Sequence, residues 1–258
     1  MCQLLGMNCN VPTDICFSFT GFCARGGRTD DHCDGWGIAF FEGSGCRLLL
    51  DEKSAVVSPV AELVRQYPIH STHVISHIRK ATQGRVALEN CHPFQRELWG
   101  RYWVFAHNGD LKDLPKTQGF YQSVGDTDSE QAFCTILERL RQAFPDEKPV
   151  LTALYPILQD ITTQLATYGV FNYLLSDGEH FFVHCSTLLS YVVREAPFCQ
   201  AHLVDQDVTV DFQELTKIQD RVAIIATVPL TDNEDWTPIP PHQLMVFQDG
   251  EPQPMPIC

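Results

Sequence analysis

The second residue of the chain is a cysteine, Cys2. Removal of the initiator Met1 is expected ahead of a small residue, and it would leave a thiol and a free α-amine on one residue. An α-amine has a pKa of about 8, far below that of lysine. Near neutral pH it can take the proton of the thiol, as in N-terminal threonine nucleophiles. Beside an ammonium the thiol is expected to be partly ionised and the first to be alkylated. A cysteine that merely falls near a start would look the same, so the weight rests on the motifs further along the chain.

Ala106-His107-Asn108-Gly109-Asp110-Leu111 comes directly after an apolar stretch. Acyl transfer needs two fixed donors aimed at a developing oxyanion. The Asn108 amide and the Gly109 N–H can supply them, although an ordinary Asn-Gly turn at a strand end has the same sequence. Ser76-His77-Ile78-Arg79-Lys80-Ala81-Thr82-Gln83-Gly84 also follows an apolar stretch. Arg79 is suited to bidentate pairing with a carboxylate, and Thr82 can add a hydroxyl donor. The plainer reading is a surface arginine at a strand end. In Asn90-Cys91-His92-Pro93-Phe94, His92 either supports the same pocket or is a satisfied core histidine. In Gly125-Asp126-Thr127-Asp128-Ser129-Glu130, Thr127 and Glu130 fit a capping box. Asp128 then complements the helix dipole, holds a substrate ammonium, or does both.

The elements that must carry these residues are mostly strands. Trp36–Phe41, Cys46–Leu50, His73–Arg79, Tyr102–His107, Val170–Ser176, His180–Cys185, Tyr191–Arg194, Val222–Thr227 and Leu244–Phe247 read as strands. Gly43-Ser44-Gly45 and Asp177-Gly178 read as hairpin turns, the second of type I′. Ser58-Pro59 opens a helix with an apolar stripe. Residues 128–144 and 151–165 carry apolar residues at helical spacing. Strands with three amphipathic helices predict helices covering sheets. The proline-rich tail from Thr237 reads as irregular. Without a visible linker, residues 1–258 are expected to form one domain.

Charge and composition exclude several classes. Eighteen Lys and Arg stand against 32 Asp and Glu, and none of the basic residues cluster. Nucleic acid and anionic membranes are therefore poor partners. No apolar run approaches the length of a transmembrane helix, and the start lacks a signal-peptide pattern, so a cytoplasmic protein is expected. Cys2, Cys9, Cys16 and Cys23 are evenly spaced among 11 cysteines. Without a C-x-x-C pair, zinc has little support. The last three of the four read as small buried hydrophobes.

In combination the pieces are specific. Cysteine at position 2, R-x-A-T-x-G, N-x-H-P, H-N-G and T-D-S-E occur in this order. Together they resemble the class II glutamine amidotransferases, and Asp34-Gly35-Trp36-Gly37-Ile38-Ala39 resembles the family's early D-x-x-G-[LI]-A strand. The chain is most similar to the small, free-standing YafJ-type members. The resemblance implies an α+β fold, a four-layer αββα sandwich of the N-terminal-nucleophile hydrolase type with two antiparallel sheets between helices. It implies Cys2 as nucleophile and, through its amine, as base, with Asn108 and Gly109 as the oxyanion hole. Arg79, assisted by Thr82, would hold the α-carboxylate of glutamine. Asp128 would hold the α-ammonium, and His92 would line the pocket. No metal or other cofactor is implied.

The implied reaction is glutamine to glutamate and ammonia through a γ-glutamyl thioester, with ammonia released or passed to a separate synthase. A γ-glutamyl peptide or metabolite as substrate is the alternative. In another class lies a catalytically silent glutamyl-binding module, which the intact nucleophile and oxyanion motifs disfavour. Amidases of the bile-salt or penicillin type also begin at cysteine but have no use for an Arg79/Asp128 pair. Three positions depart from the family pattern. Lys80 stands where synthase-fused members have Trp, Gln83 where His is frequent, and Asp31 where Arg is usual.

Overall fold

The computed structural model describes residues 2–82, 84–214 and 216–254. The expectations about Met1 and Gln83 therefore lie outside the described residues. In chain order the strands are β1 (Gln3–Thr13), β2 (Trp36–Glu42), β3 (Gly45–Asp51), β4 (Ser71–Ile78), β5 (Phe94–Leu98), β6 (Arg101–Leu111), β7 (Gly169–Ser176), β8 (Phe181–Cys185), β9 (Ser190–Arg194), β10 (Gln200–His202), β11 (Thr209–Asp211), β12 (Val222–Ala226), β13 (Thr237–Pro238), β14 (Gln243–Gln248) and β15 (Glu251–Pro252). The helices are α1 (Cys16–Ala24), α2 (Pro59–Gln66), α3 (Asp128–Ala143) and α4 (Leu151–Ala166).

Two antiparallel sheets form, in the orders β13-β9-β12-β1-β4-β2-β3 and β15-β14-β8-β7-β6-β5, with β10-β11 apart. The period-2 alternation of side chains sorts the core into three slabs. Leu5, Met7 and Cys9 of β1 pack with Phe19 and Phe22 of α1 and Val64 of α2. Leu4 faces the other way, meeting Val104, Ala106, Leu174 and Phe181 of the second sheet. Trp103 and Phe105 of β6 pack under Phe133 and Leu137 of α3 and Leu158 of α4. The result is the four-layer αββα sandwich that the resemblance implied.

β1 lies in the middle of the first sheet, between β4 and β12. With both faces buried it lacks an alternating pattern. At Gly6 an added Cβ would stand 2.7 Å from the Phe181 ring, so glycine permits the sheets to approach there. The loop after β7 departs from the expected turn. Ser176 pairs with Phe181, so four residues connect the strands rather than two. Asp177 Oδ1 accepts from the N–H groups of Glu179 and His180, a side-chain-stabilised turn instead of type I′. Cys9, Cys16 and Cys23 do not pair; each thiol donates to a backbone carbonyl, of Ser71, Val64 and Ala55 respectively.

Buried histidines make this core acid-sensitive. His73 lies between the sheets, its Nδ1 donating to Ser176 Oγ and its Nε2 accepting from Asn8 Nδ2. Burial pushes both His73 and His184 down to about 4 from 6.5. Between those values the unfolded chain binds protons that the folded chain refuses. Stability is therefore full above pH ~6.5 and falls as pH drops towards ~4, by on the order of 2–3 kcal/mol per histidine. Urea midpoints measured at pH 7.5 and 4.5 are expected to fall steeply; equal midpoints would refute it.

Candidate active site

The register of β1 against its neighbours builds the site. Gln3 is paired with Ile78, so Cys2 and Arg79 emerge side by side from the centre of the sheet. Lys80 N–H donates to the Cys2 sulfur at 3.3 Å, and the thiol donates to Lys80 O at 3.4 Å. The turn beyond β4 is itself anchored. Arg79 N–H donates to Gly35 O and Asp34 N–H to Arg79 O, while the Asp34 carboxylate accepts from Ala81 N–H at 2.8 Å. The D-x-x-G segment thus fixes the backbone around the thiol.

Cys2 keeps partial surface exposure, yet its surroundings are dense enough that burial pushes the thiol pKa up, against the hydrogen bond from Lys80, which lowers it. Burial thus opposes ionisation of the thiol, while the Lys80 N–H and the Arg79 guanidinium favour it.

Cys2, Arg79, Thr82, His92, Gly109 and Asp128 line one recess, together with Lys80, His107, Thr127 and Ser129. It encloses only about 20 Å³. A more spacious cavity of about 510 Å³ lies at the far end of β1, against Ile15, Phe17 and Phe212, and contains none of the sequence-predicted residues. The chemistry-bearing groups decide between the two, so the small recess is the candidate.

Arg79 is buried, with Nη1 donating to Arg85 O at 3.0 Å and Nη2 to Gly84 O at 3.4 Å. Asp128 opens α3. Its Oδ2 accepts from Leu111 N–H at 2.8 Å, and Ser129 Oγ lies 3.5 Å from its Oδ1. Its charge also suits the helix N-terminus. Thr127 caps α3 by accepting from Glu130 N–H. The expected reciprocal half of the capping box is missing, because the Glu130 carboxylate serves Val124 N–H, Gly125 N–H and Arg96 instead.

Gly109 sits on β6, where an added Cβ would fall 1.8 Å from Val170 O and 2.5 Å from His107 Nε2. No other residue fits. Asn108 is not among the residues lining the recess. Its side chain turns towards the first sheet, where Nδ2 lies 3.4 Å from Thr227 Oγ1, and that oxygen also accepts from Leu4 N–H at 2.9 Å. Asn108 therefore reaches the Cys2 strand through one hydroxyl. Its Oδ1 is buried without a partner among the described residues. Thr82 is exposed at the rim. His92 is buried, its ring centroid 4.1 Å from that of His77 with the planes tilted by 35°, and its Nδ1 accepts from His107 N–H at 3.4 Å. Burial, ahead of the neighbouring histidines and Arg79, holds it well below its usual pKa.

A family profile described as class II glutamine amidotransferases matches residues 1–256. The chain belongs to that family. A Haemophilus influenzae protein called "Putative glutamine amidotransferase" is 54% identical over 97% of this chain and 85% of its own length. An Escherichia coli protein called "Putative glutamine amidotransferase YafJ" is 51% identical over 97% of this chain and 99% of its own. The crystal structure of a "predicted glutamine amidotransferase" from Pseudomonas aeruginosa superposes with a TM-score of 0.79 at 45% identity, covering 98% of this chain and 100% of that one. The glutamine phosphoribosylpyrophosphate amidotransferase of Bacillus subtilis is 14% identical, with a TM-score of 0.59 over 97% of this chain and 48% of that one; it supports the fold alone.

This chain of an amide-hydrolysing family carries supporting residues to which the motifs assigned no role. Asn90 is fully buried and ties two site loops together. Its Nδ2 donates to Arg85 O and Asp126 Oδ1, and its Oδ1 accepts from Asp126 N–H. The Arg79 loop and the approach to α3 are thereby clamped to each other. Asn172, opposite Asn108 on β7, donates to Asn108 O at 3.0 Å. Two departures from the family pattern meet as well: Lys80 Nζ pairs with Asp31 at 2.8 Å, on the surface beside the thiol.

Proposed function

We propose that the protein hydrolyses the side-chain amide of glutamine, or of a γ-glutamyl compound, through a γ-glutamyl thioester on Cys2. The observation that carries this reading is one recess lined by a thiol, a buried guanidinium, a carboxylate and an obligatory glycine. A free amino-acid head carries one charge of each sign, and burying either without a partner costs several kcal/mol. Arg79 would take the α-carboxylate, replacing the weaker carbonyl acceptors of Gly84 and Arg85. Asp128 Oδ1 would take the α-ammonium.

With Met1 removed, the Cys2 amine accepts the thiol proton and the thiolate attacks the amide carbon. The Gly109 N–H and the Asn108 amide stabilise the oxyanion. The ammonium returns the proton to the leaving nitrogen, the C–N bond breaks and ammonia departs. The amine then deprotonates a water, which attacks the thioester. The C–S bond breaks, glutamate leaves and the thiol is restored. Ammonia is released or passed to a separate synthase. The whole chain acts as one domain and uses no metal in this scheme.

Arg79→Ala and Asp128→Ala are each expected to raise KM by about 30- to 1000-fold, the equivalent of about 2–4 kcal/mol. Both side chains also bond to backbone, so substrate analogues give a folding-independent check. Glutamine α-methyl ester should mimic the Arg79 loss and N-acetylglutamine the Asp128 loss. Hydrolysis of both analogues as fast as glutamine would make this a general amidase and sink the glutamyl reading. Ammonia release from a panel of γ-glutamyl amides separates glutamine from the alternative substrates.

A further inference from the structure

We infer that His107 is a positioning residue that sets the distance between the oxyanion donor and the ammonium-binding carboxylate; this rests on the function proposed above. His107 lies on the face of β6 that meets α3, is almost wholly buried, and lines the recess. Its two ring nitrogens grip different elements. Nε2 lies 3.0 Å from Val170 O on β7, and Nδ1 lies 2.8 Å from Ser129 Oγ in the first turn of α3. A carbonyl can only accept, so Nε2 bears the proton and Nδ1 accepts the serine hydroxyl. Burial, ahead of the carboxylates Asp128 and Asp110 that oppose it, holds the ring below its usual pKa, which keeps this neutral tautomer in place.

Each grip ends next to a proposed site group. The Val170 carbonyl is the atom that an added Cβ on Gly109 would strike, so the Nε2 bond fixes the strand against which Gly109 lies. Ser129 follows Asp128 directly, so the Nδ1 bond fixes the helix turn that presents the carboxylate. The His107 main-chain N–H adds a third tie, to His92 Nδ1. One imidazole thus spans β6, β7 and α3 at the point where they meet. Packing alone needs only a ring of that size, whereas both nitrogens are used.

Three variants separate the two arms. Ser129→Ala breaks the helix arm, together with the long contact from Ser129 Oγ to Asp128 Oδ1, and leaves the β7 arm intact; it is expected to raise KM about tenfold with kcat changed less than about threefold, the scale of one buried hydrogen bond. His107→Gln, whose amide nitrogen can replace Nε2, should behave like Ser129→Ala. His107→Phe keeps the ring and loses both arms, so kcat should also fall, by about tenfold or more. In the pair His107→Phe and Ser129→Ala, the KM effects should fail to add, because they remove the same bond. Labelling of Cys2 by 6-diazo-5-oxonorleucine checks that each variant keeps a formed site. Additive KM effects, or wild-type kinetics in Ser129→Ala and His107→Phe, would overturn the inference alone. A wild-type chain that neither releases ammonia from γ-glutamyl amides nor reacts with the label would overturn the underlying function, and the inference with it.

Discussion

Replacing Cys2 with alanine is expected to abolish turnover, with kcat falling by on the order of 10⁴- to 10⁶-fold, the range seen when a nucleophile is removed from a machinery that acts as a unit. The loss should be complete in practice because no other thiol lines the recess among the described residues. The remaining groups could still bind and polarise an amide, but water at ambient reactivity would have to attack it. Stability should barely change, since among the described residues the Cys2 sulfur hydrogen-bonds only to the Lys80 backbone, at 3.3–3.4 Å. Covalent labelling by 6-diazo-5-oxonorleucine should vanish along with activity. Ammonia release by Cys2→Ala near the wild-type rate would mean that the nucleophile lies elsewhere.

Asn108→Ala is expected to lower kcat by about 10²- to 10³-fold while leaving KM nearly unchanged, as for loss of a donor that acts on charge formed in the transition state. The side chain can be removed without orphaning its neighbour. Thr227 Oγ1 keeps the Leu4 N–H, and Asn172 still binds the Asn108 carbonyl. Among the described residues the Asn108 amide nitrogen donates to Thr227 Oγ1 alone, and that contact is long, at 3.4 Å. A spare donor on a rigid strand is what an oxyanion site requires. A large KM change at constant kcat would assign Asn108 to ground-state binding instead.

Those two residues also show what the sequence made legible. Cys2, Arg79, Gly109 and Asp128 were legible only as a set, since each motif alone had a plainer reading, and the fold brings all four to one recess. Asn108 was readable as a type but not as a placement. Its side chain points between the sheets because β6 alternates, and Thr227 is 119 positions away. The ties made by His107 and Asn90 were invisible for the same reason: Val170, Ser129, Arg85 and Asp126 become their neighbours only after the sheets and α3 pack.

The elements divide along a similar line. β2, β7, β8 and α3 announced themselves through dense apolar runs or a helical stripe. β1 did not, since a central strand buried on both faces alternates poorly and carries Gly6 and Pro12. α1 was missed because Phe17, Phe19, Phe22 and the flanking cysteines leave no polar face to define a period. β5, an edge strand, hides its pattern in Gln95, Arg96 and Glu97, which suits an exposed edge. Local chemistry misled twice. Asp177-Gly178 made a longer side-chain-stabilised loop, and Glu130 spent its carboxylate on Arg96 and the preceding loop rather than on its own cap.

With burial opposing ionisation of the Cys2 thiol, the proposed mechanism depends on the α-amine of Cys2 as its base. Mass spectrometry of the active protein after reaction with 6-diazo-5-oxonorleucine tests it most directly, in the intact chain and after digestion. The predicted result is a chain that begins at Cys2 and carries a single adduct on the Cys2 sulfur, with activity lost in proportion to labelling. Full turnover by a chain that retains Met1, or an adduct on any other cysteine, would contradict it.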